Sequence, residues 1–226
     1  MKGYSSVGAR PTLSPLLSGN ALLLASLFCG YQKAGAVSLD ACSGLLYPAG
    51  MTDFYDPFSH HQDDGRSRQP EVSEILSTLL VGEYPRVEDV AWLKQQFGIS
   101  AVFSLQDAED LATKSLSLPV LQTAYRHQQI EFRRAPVADF DCHSLALALP
   151  AALAELHALV RDGHTVFLHC NAGCNRAPTL AIAYLHAYHG MSLPAARDFV
   201  KARRPCGPYM EVLYQHFGDP GPDAMP

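Results

Sequence analysis

Short apolar runs and longer amphipathic segments alternate along the chain from about residue 71 onward. The short runs predict strands at 79–81, at 99–105, in a segment ending at 134, and at 165–168. The longer segments predict helices at 87–97, 144–160, 176–188, 193–202 and 209–217. Strands that alternate with helices indicate an α/β fold, in which helices flank a central, mainly parallel sheet on both faces.

Two parts of this pattern are harder to interpret. Residues 107–123 show no clear period, so no element is predicted there. The predicted helix 144–160 contains Pro150, which should break the helix unless the proline lies in its first turn.

The N-terminal part of the chain has a different composition. Residues 1–39 contain no Asp or Glu, and their only basic residues are Lys2, Arg10 and Lys33, which is typical of an organelle transit segment. A secretory signal and a tail without an address are the alternatives. The apolar run 21–28 is too short to span a membrane, so no stable membrane span is expected. We therefore divide the chain into an expected targeting segment (1–39), a linker (40–70), one folded domain (71–217) and a tail (218–226).

Composition narrows the function classes. A net charge of −5 argues against a nucleic-acid partner, which would require a basic face. The six cysteines follow neither a disulfide framework nor a zinc-binding spacing, and His60–His61 has no further support as a metal site. No metal and no cofactor is therefore expected.

The segment from His169 to Arg176 carries the candidate chemistry. It places Cys170, a short loop and Arg176 between a predicted buried strand and a predicted helix. Such a loop points its backbone amides toward a common centre, and the helix adds its positive end, so the centre suits a phosphate dianion. Gly173 lets the loop turn tightly. The other candidate phosphate-binding positions are Asn171, Ala172, Cys174 and Asn175.

These residue types predict phosphoryl transfer to sulfur. The helix N-terminus, the amides and Arg176 favour the thiolate of Cys170, which could attack phosphorus to form a phosphocysteine that water then hydrolyses. The planar Arg176 guanidinium suits two equatorial phosphate oxygens. His169 is expected either to orient the loop from behind or to be an ordinary core residue.

The leaving group needs a proton donor from another loop. The candidates are Asp139 and Asp141, which follow the predicted strand ending at Arg134. Asp141 also suits the N-cap of the next helix, which leaves Asp139 as the general acid and later the base for water.

The Cys-x5-Arg segment resembles the dual-specificity branch of the cysteine-dependent phosphatases. The segments 139–141, 176–178 and 203–208 resemble the starch-excess and laforin-like glucan phosphatases more narrowly, over roughly residues 72–210. The resemblance implies a dual-specificity phosphatase fold, with Cys170 as nucleophile, Arg176 as phosphate ligand, Asp139 as acid and Phe140 as an aromatic against the sugar. It also implies starch metabolism in the chloroplast, with the cytoplasm or the secretory route as alternatives.

Three features bear on how closely the chain follows the glucan group's pattern. Asn175 replaces a glycine and could change which substrate enters, Ala177 agrees with the starch-excess group and predicts a slower second step, and no carbohydrate-binding module follows Pro208. The resemblance implies a phosphorylated glucan as the substrate. The alternative, which Asn175 and the missing carbohydrate-binding module favour, is a phosphoprotein, the substrate of a dual-specificity or tyrosine protein phosphatase. A non-catalytic phosphate-binding adaptor is a third hypothesis, and Cys174 or Cys142 could trap an oxidised Cys170 as a disulfide.

Overall fold

A computed structural model describes residues 67–218 of the chain. They form a five-stranded sheet in the order β1-β2-β5-β3-β4, in which β1 is antiparallel to β2 and the other neighbours are parallel. The strands are β1 (Val72–Leu76), β2 (Leu79–Gly82), β3 (Ala101–Ser104), β4 (Glu131–Arg134) and β5 (Val166–His169). The predicted mainly parallel sheet is confirmed.

Seven helices lie in the same part of the chain. They are α1 (Asp89–Phe97), α2 (Ala108–Thr113), α3 (Leu118–His127), α4 (Cys142–Arg161), α5 (Arg176–His189), α6 (Leu193–Lys201) and α7 (Met210–Phe217). Gly98 ends α1 in the left-handed conformation with φ of 65°, as a C-terminal glycine does.

The sheet is buried on both faces at its centre because the strands β2, β3 and β5 alternate their side chains between two apolar clusters. In β5, Val166 and Leu168 pack with helices α4 to α7, whereas Phe167 packs on the opposite face with α1 and α3. Such two-sided burial is the reason that the central strands are continuous apolar runs in the sequence.

Three sequence expectations were incomplete or wrong. β1 was not predicted, because this edge strand contains the polar pair Ser73–Glu74. The unpatterned segment 107–123 contains α2 and most of α3. The expected break at Pro150 was wrong: α4 continues through it, with Pro150 exposed and Leu149 and Leu153 buried on either side. Packing of both halves on the sheet offsets the lost backbone hydrogen bond.

By length and composition alone, α4 is long and apolar enough to cross a membrane, with 20 residues and a mean hydropathy of 1.4, and no other helix between residues 67 and 218 is. A core helix can meet the same criteria, and Leu145, Leu149 and Leu156 of α4 are buried against the sheet. The predicted targeting segment 1–39, nearly all of the predicted linker and the tail beyond Gly218 lie outside the described residues.

Strand order brings four loops to one edge of the sheet. Gly82 and Ser104, which end β2 and β3, are both in register with His169, the last residue of β5. Arg134, which ends β4, is in register with Ser104. The carboxyl ends of four parallel strands therefore lie side by side, which is where open α/β sheets bind ligands.

Candidate active site

The loop from Cys170 to Arg176, the phosphate-binding loop, has its backbone carbonyls fixed toward the protein. His169 donates from Nδ1 to the carbonyl of Cys170 at 3.0 Å, and the amide of Tyr84 donates to the carbonyl of Asn171 at 2.9 Å. A carbonyl held outward turns the peptide so that the next amide points inward.

Arg204 fixes the next two carbonyls. Its Nη2 donates to the carbonyl of Ala172 at 2.7 Å, and its Nε donates to that of Gly173 at 2.5 Å. Arg204 is only 4% exposed, so these charge-assisted bonds lie in the protein interior. The sequence showed Arg204 only as part of the segment 203–208 that carries the family resemblance, and its supporting position was not predicted.

The segment after Arg204 completes the support. The amide of Gly207 donates to the carbonyl of Cys174 at 2.9 Å, and Nδ2 of Asn175 donates to the carbonyl of Gly207 at 2.7 Å. Thr179 on α5 donates from its hydroxyl to the carbonyl of Asn175 at 2.7 Å. Asn175, which the sequence suggested as a bulky residue at the entrance, therefore ties the loop to its neighbour.

With these carbonyls engaged, the amides of residues 171–175 donate to no other protein group within the region 67–218. They form an inward-facing set of donors at the N-terminus of α5, which suits an anion. Gly173 is essential to this path because its φ is +66° and a Cβ there would lie 2.4 Å from the carbonyl oxygen of Gly82.

His169 lies behind the loop and is 2% exposed. Burial lowers its pKa from 6.5 to about 4, so the imidazole is neutral near pH 7. Because a carbonyl can only accept, the proton is on Nδ1, and Nε2 has no hydrogen-bond partner among the described groups. His169 thus supports the carbonyl of Cys170 and lies outside the cavity lining.

Arg176 is 1% exposed and begins α5. Its Nη1 donates to Asp110 at 2.6 Å and to the carbonyl of Val137 at 2.7 Å, and its Nη2 lies 3.0 Å from Asp139. Burial opposes the charge, but Cys170 and the two carboxylates more than offset this effect, so the pKa of Arg176 is raised. The guanidinium is fixed and cationic.

The two candidate acids have separate roles. Asp141 caps α4 by accepting from the amides of His143 and Ser144 at 2.9 and 3.1 Å, as predicted. Asp139 lines the cavity beside Cys170. Burial raises the pKa of Asp139, although the positive charge of Arg176 opposes the shift. A raised pKa increases the protonated fraction that a general acid needs.

Cys170 opens into a cavity of about 400 Å³. Phe140 stands at its wall with 65% of its surface exposed and a left-handed φ of +56°, which is costly for an aromatic residue. Of the predicted residues, Gly173 and Cys174 do not line the cavity. The lining is Asp107, Glu109, Asp110, Thr113, Lys114, Ala138, Asp139, Phe140, Cys170, Asn171, Ala172, Asn175 and Arg176.

Asp110 is a second residue that the sequence analysis missed. It is 5% exposed and forms a capping box at the start of α2, in a segment without apolar period. The spacing Asp107-x-x-Asp110 is a helix-start signal, but nothing in it indicates contact with Arg176.

The other cysteines differ from Cys170 in their surroundings. Cys174 is 3% exposed, and burial raises its pKa to about 12, so its thiol is not a nucleophile near neutral pH. Cys142 and Cys206 are partly buried, and neither forms a disulfide within residues 67–218. In the described region no group of three His, Cys, Asp or Glu side chains could hold a metal ion.

Comparison with known proteins identifies similar sequences. Residues 79–216 match the model of the dual specificity phosphatase catalytic domain. The chain is 31% identical to mouse laforin over 165 residues, which cover 68% of this chain and 48% of laforin. It is 31% identical over 142 residues to the amyloplastic phosphoglucan phosphatase DSP4 of Castanea sativa, covering 62% of this chain and 38% of that protein. The chain thus spans about half or less of these two relatives.

Two further comparisons concern protein phosphatases and the fold. Human dual specificity protein phosphatase 14 is 36% identical over 134 residues, covering 59% of this chain and 61% of that protein. The crystal structure of Tk-PTP in its active form superimposes with a TM-score of 0.57 at 24% identity, covering 67% of this chain and 99% of that one. This likeness shows a shared fold.

Proposed function

Because the chain belongs to the dual specificity phosphatase catalytic-domain family, we propose that it hydrolyses phosphate monoesters through a phosphocysteine intermediate. The observation that carries the proposal is the loop 170–176, whose carbonyls are held by other parts of the protein while the amides of residues 171–175 remain available to an anion next to Cys170. Arg176 and Asp139 reach the same cavity from α5 and from the loop after β4. The reaction needs a nucleophile, an anion ligand and an acid, and we assign these roles to Cys170, Arg176 and Asp139.

In the first step the thiolate of Cys170 attacks phosphorus, and the bond from phosphorus to the leaving oxygen breaks. Asp139 gives its proton to that oxygen, which leaves as an alcohol. The loop amides and the Arg176 guanidinium bind the three non-bridging oxygens and stabilise the charge of the transferring group.

In the second step water attacks the phosphocysteine. Asp139, now a carboxylate, takes a proton from the water, and the sulfur–phosphorus bond breaks to return the thiolate and release phosphate. Ala177 has no hydroxyl to assist the departing thiolate of Cys170, so we expect this step to be slower than it would be with Ser or Thr at this position. The cycle uses only protein groups and water.

Phe140 supports a phosphorylated glucan as the substrate. A flat, exposed aromatic ring at the cavity wall suits the apolar face of a sugar ring, and its backbone strain is sustained only where the surrounding structure enforces it. The rim also carries the carboxylates of Asp107 and Glu109 near Lys114. Such a rim disfavours acidic phosphopeptides but not an uncharged glucan chain that carries single phosphate groups.

The test compares phosphate release from solubilised phosphorylated amylopectin, a phosphotyrosine peptide and para-nitrophenyl phosphate. We expect release from amylopectin and the aryl phosphate, and none by the Cys170→Ser variant. Phe140→Ala should lower kcat/KM on amylopectin about tenfold and change the aryl phosphate less than about twofold. Release from the peptide and not from amylopectin would overturn the glucan assignment, and no release from any substrate would overturn the phosphatase proposal.

A protein substrate is the second candidate. The identity to human dual specificity protein phosphatase 14 is 36%, higher than to the glucan enzymes over a shorter stretch. A higher kcat/KM on phosphopeptides than on amylopectin would favour this candidate. The adaptor hypothesis is disfavoured because Cys170, Arg176 and Asp139 are all present.

The plastid assignment of residues 1–39 is also a proposal. Its support is the composition of that segment and the plastid location in the name of the Castanea relative. A fluorescent protein that carries residues 1–39 at its N-terminus should enter chloroplasts in leaf cells. Fluorescence confined to the cytosol or the secretory pathway would refute the assignment.

A further inference from the structure

Asp110 is a buried carboxylate that the proposed chemical steps do not use. Its Oδ2 accepts from Nη1 of Arg176 at 2.6 Å and from the amide of Asp107 at 3.0 Å. Its Oδ1 accepts from Nδ2 of Asn171 at 2.5 Å. One side chain therefore contacts the anion-binding arginine, the phosphate-binding loop and the first turn of α2.

Asn171 extends this connection to the acid. Its Nδ2 also donates to Asp139 at 3.2 Å, and its Oδ1 accepts from Nε2 of Gln106 at 2.8 Å. Gln106 is 1% exposed, so the orientation of the Asn171 amide is fixed from the side of β3. The carboxylates of Asp110 and Asp139 thus share two partners, Arg176 and Asn171.

A capping residue alone does not require this arrangement. The capping box is satisfied by the mutual bonds between Asp107 and Asp110, at 2.8 and 3.0 Å, and needs no contact with Arg176. The side chains of Asp110 and Arg176 are only 6% and 1% exposed. Burying this charged pair costs desolvation free energy, which a helix cap at the surface would avoid.

We propose that Asp110 is a positioning residue, whose carboxylate fixes the Arg176 guanidinium and the Asn171 amide and thereby orients both toward the phosphate and toward Asp139. The inference rests on the proposed phosphatase function. It gives α2 a role beyond the cavity wall, because its first turn carries the carboxylate that holds the arginine.

The test uses Asp110→Asn, which keeps the size of the side chain and an acceptor for the helix cap but removes the charge. Asp198→Asn, on the exposed face of α6, is the matched control for loss of one carboxylate. Each purified variant is assayed with phenyl phosphate over a range of pH, and tungstate affinity is measured by calorimetry. Phenyl phosphate is chosen because its poor leaving group makes the rate depend on Asp139.

We expect Asp110→Asn to lower kcat/KM about ten- to a hundredfold and to weaken tungstate binding by a similar factor, while the control matches the natural protein. The negative charge of Asp110 also raises the pKa of Asp139. The basic limb of the pH profile should therefore move to lower pH in Asp110→Asn. A residue that only stabilises α2 would reduce the melting temperature without moving that limb.

Asp110→Glu is the second variant, because it keeps the charge and displaces the carboxylate. It should lose about tenfold in kcat/KM with a limb close to that of the natural protein. Losses below about threefold in both variants, or losses without any change in tungstate affinity, would overturn the proposal. If the natural protein is active and Asp110→Asn has the same kcat/KM and tungstate affinity, only the positioning role is refuted. If the natural protein is inactive on every phosphate ester, the proposed function is refuted. Tungstate affinity then still tests the role of Asp110.

Discussion

Replacement of Arg204 by methionine tests whether the phosphate-binding loop is held from behind. Methionine keeps an unbranched apolar stem but cannot donate, so the carbonyls of Ala172 and Gly173 lose their charged donor in a buried place. Two charge-assisted hydrogen bonds contribute about 3–6 kcal/mol together. Removal of a buried charge returns part of its desolvation cost, so we expect a net loss of about 2–4 kcal/mol.

For a domain of this size, that loss corresponds to a decrease in melting temperature of about 5–15 °C. The measurement is differential scanning calorimetry with and without tungstate. Because the carbonyls also set the direction of the loop amides, the tungstate affinity should fall at least about tenfold. Arg204→Lys should recover only part of both losses, because an ammonium cannot present the guanidinium fork.

Arg203→Met is the matched control on the neighbouring residue. At the surface, Cζ of the Arg203 guanidinium lies 3.5 Å from the centroid of the Phe199 ring, and Nη1 donates to the Phe199 carbonyl. Its removal should cost no more than about 1 kcal/mol and leave tungstate affinity unchanged. If Arg204→Met melts within about 2 °C of Arg203→Met and binds tungstate equally well, the outward carbonyls do not depend on Arg204, and the reasoning is refuted.

Three further outcomes are expected. Asp139→Asn should slow the hydrolysis of phenyl phosphate far more than that of para-nitrophenyl phosphate, and it should remove the basic limb of the pH profile of kcat/KM. Equal losses of kcat/KM on both substrates would exclude Asp139 as the acid. Gly173→Ala should lower kcat/KM at least about a hundredfold. Gly98→Ala is its control, because Gly98 has nearly the same φ of 65° but a Cβ added there meets no atom of a non-neighbouring residue within 4 Å. This substitution should affect stability alone. Because the folded state holds His169 neutral with a pKa of about 4 and the unfolded chain binds its proton near 6.5, stability should fall by up to about 3 kcal/mol as pH decreases between those values. His169→Asn should flatten this decline in urea-unfolding titrations, and an unchanged slope would contradict the neutral imidazole.

Local sequence was sufficient for the elements whose signals lie within a few residues. The buried run ending at His169, the tight loop at Gly173 and the helix from Arg176 are contiguous in the chain, so their residue types predict both the elements and the chemistry. Asp141 as the cap of α4 followed in the same way, which identified Asp139 as the residue left for the cavity. These interactions are short-range, and their geometry is set by backbone dihedral preferences and the helix terminus.

The tertiary structure alone decided which distant residues support that loop. Arg204 lies more than thirty residues after Gly173, and Asp110 lies more than sixty before Arg176, yet both contact the loop or its arginine directly. The sheet order brings Asp110 to Arg176, because it places the carboxyl ends of the non-consecutive strands β3 and β5 side by side. Arg204 reaches the loop in another way, because it follows α6, which packs on α5. A hydrophobic period reports which face of an element is buried, but it carries no information about which loop comes to lie beside it.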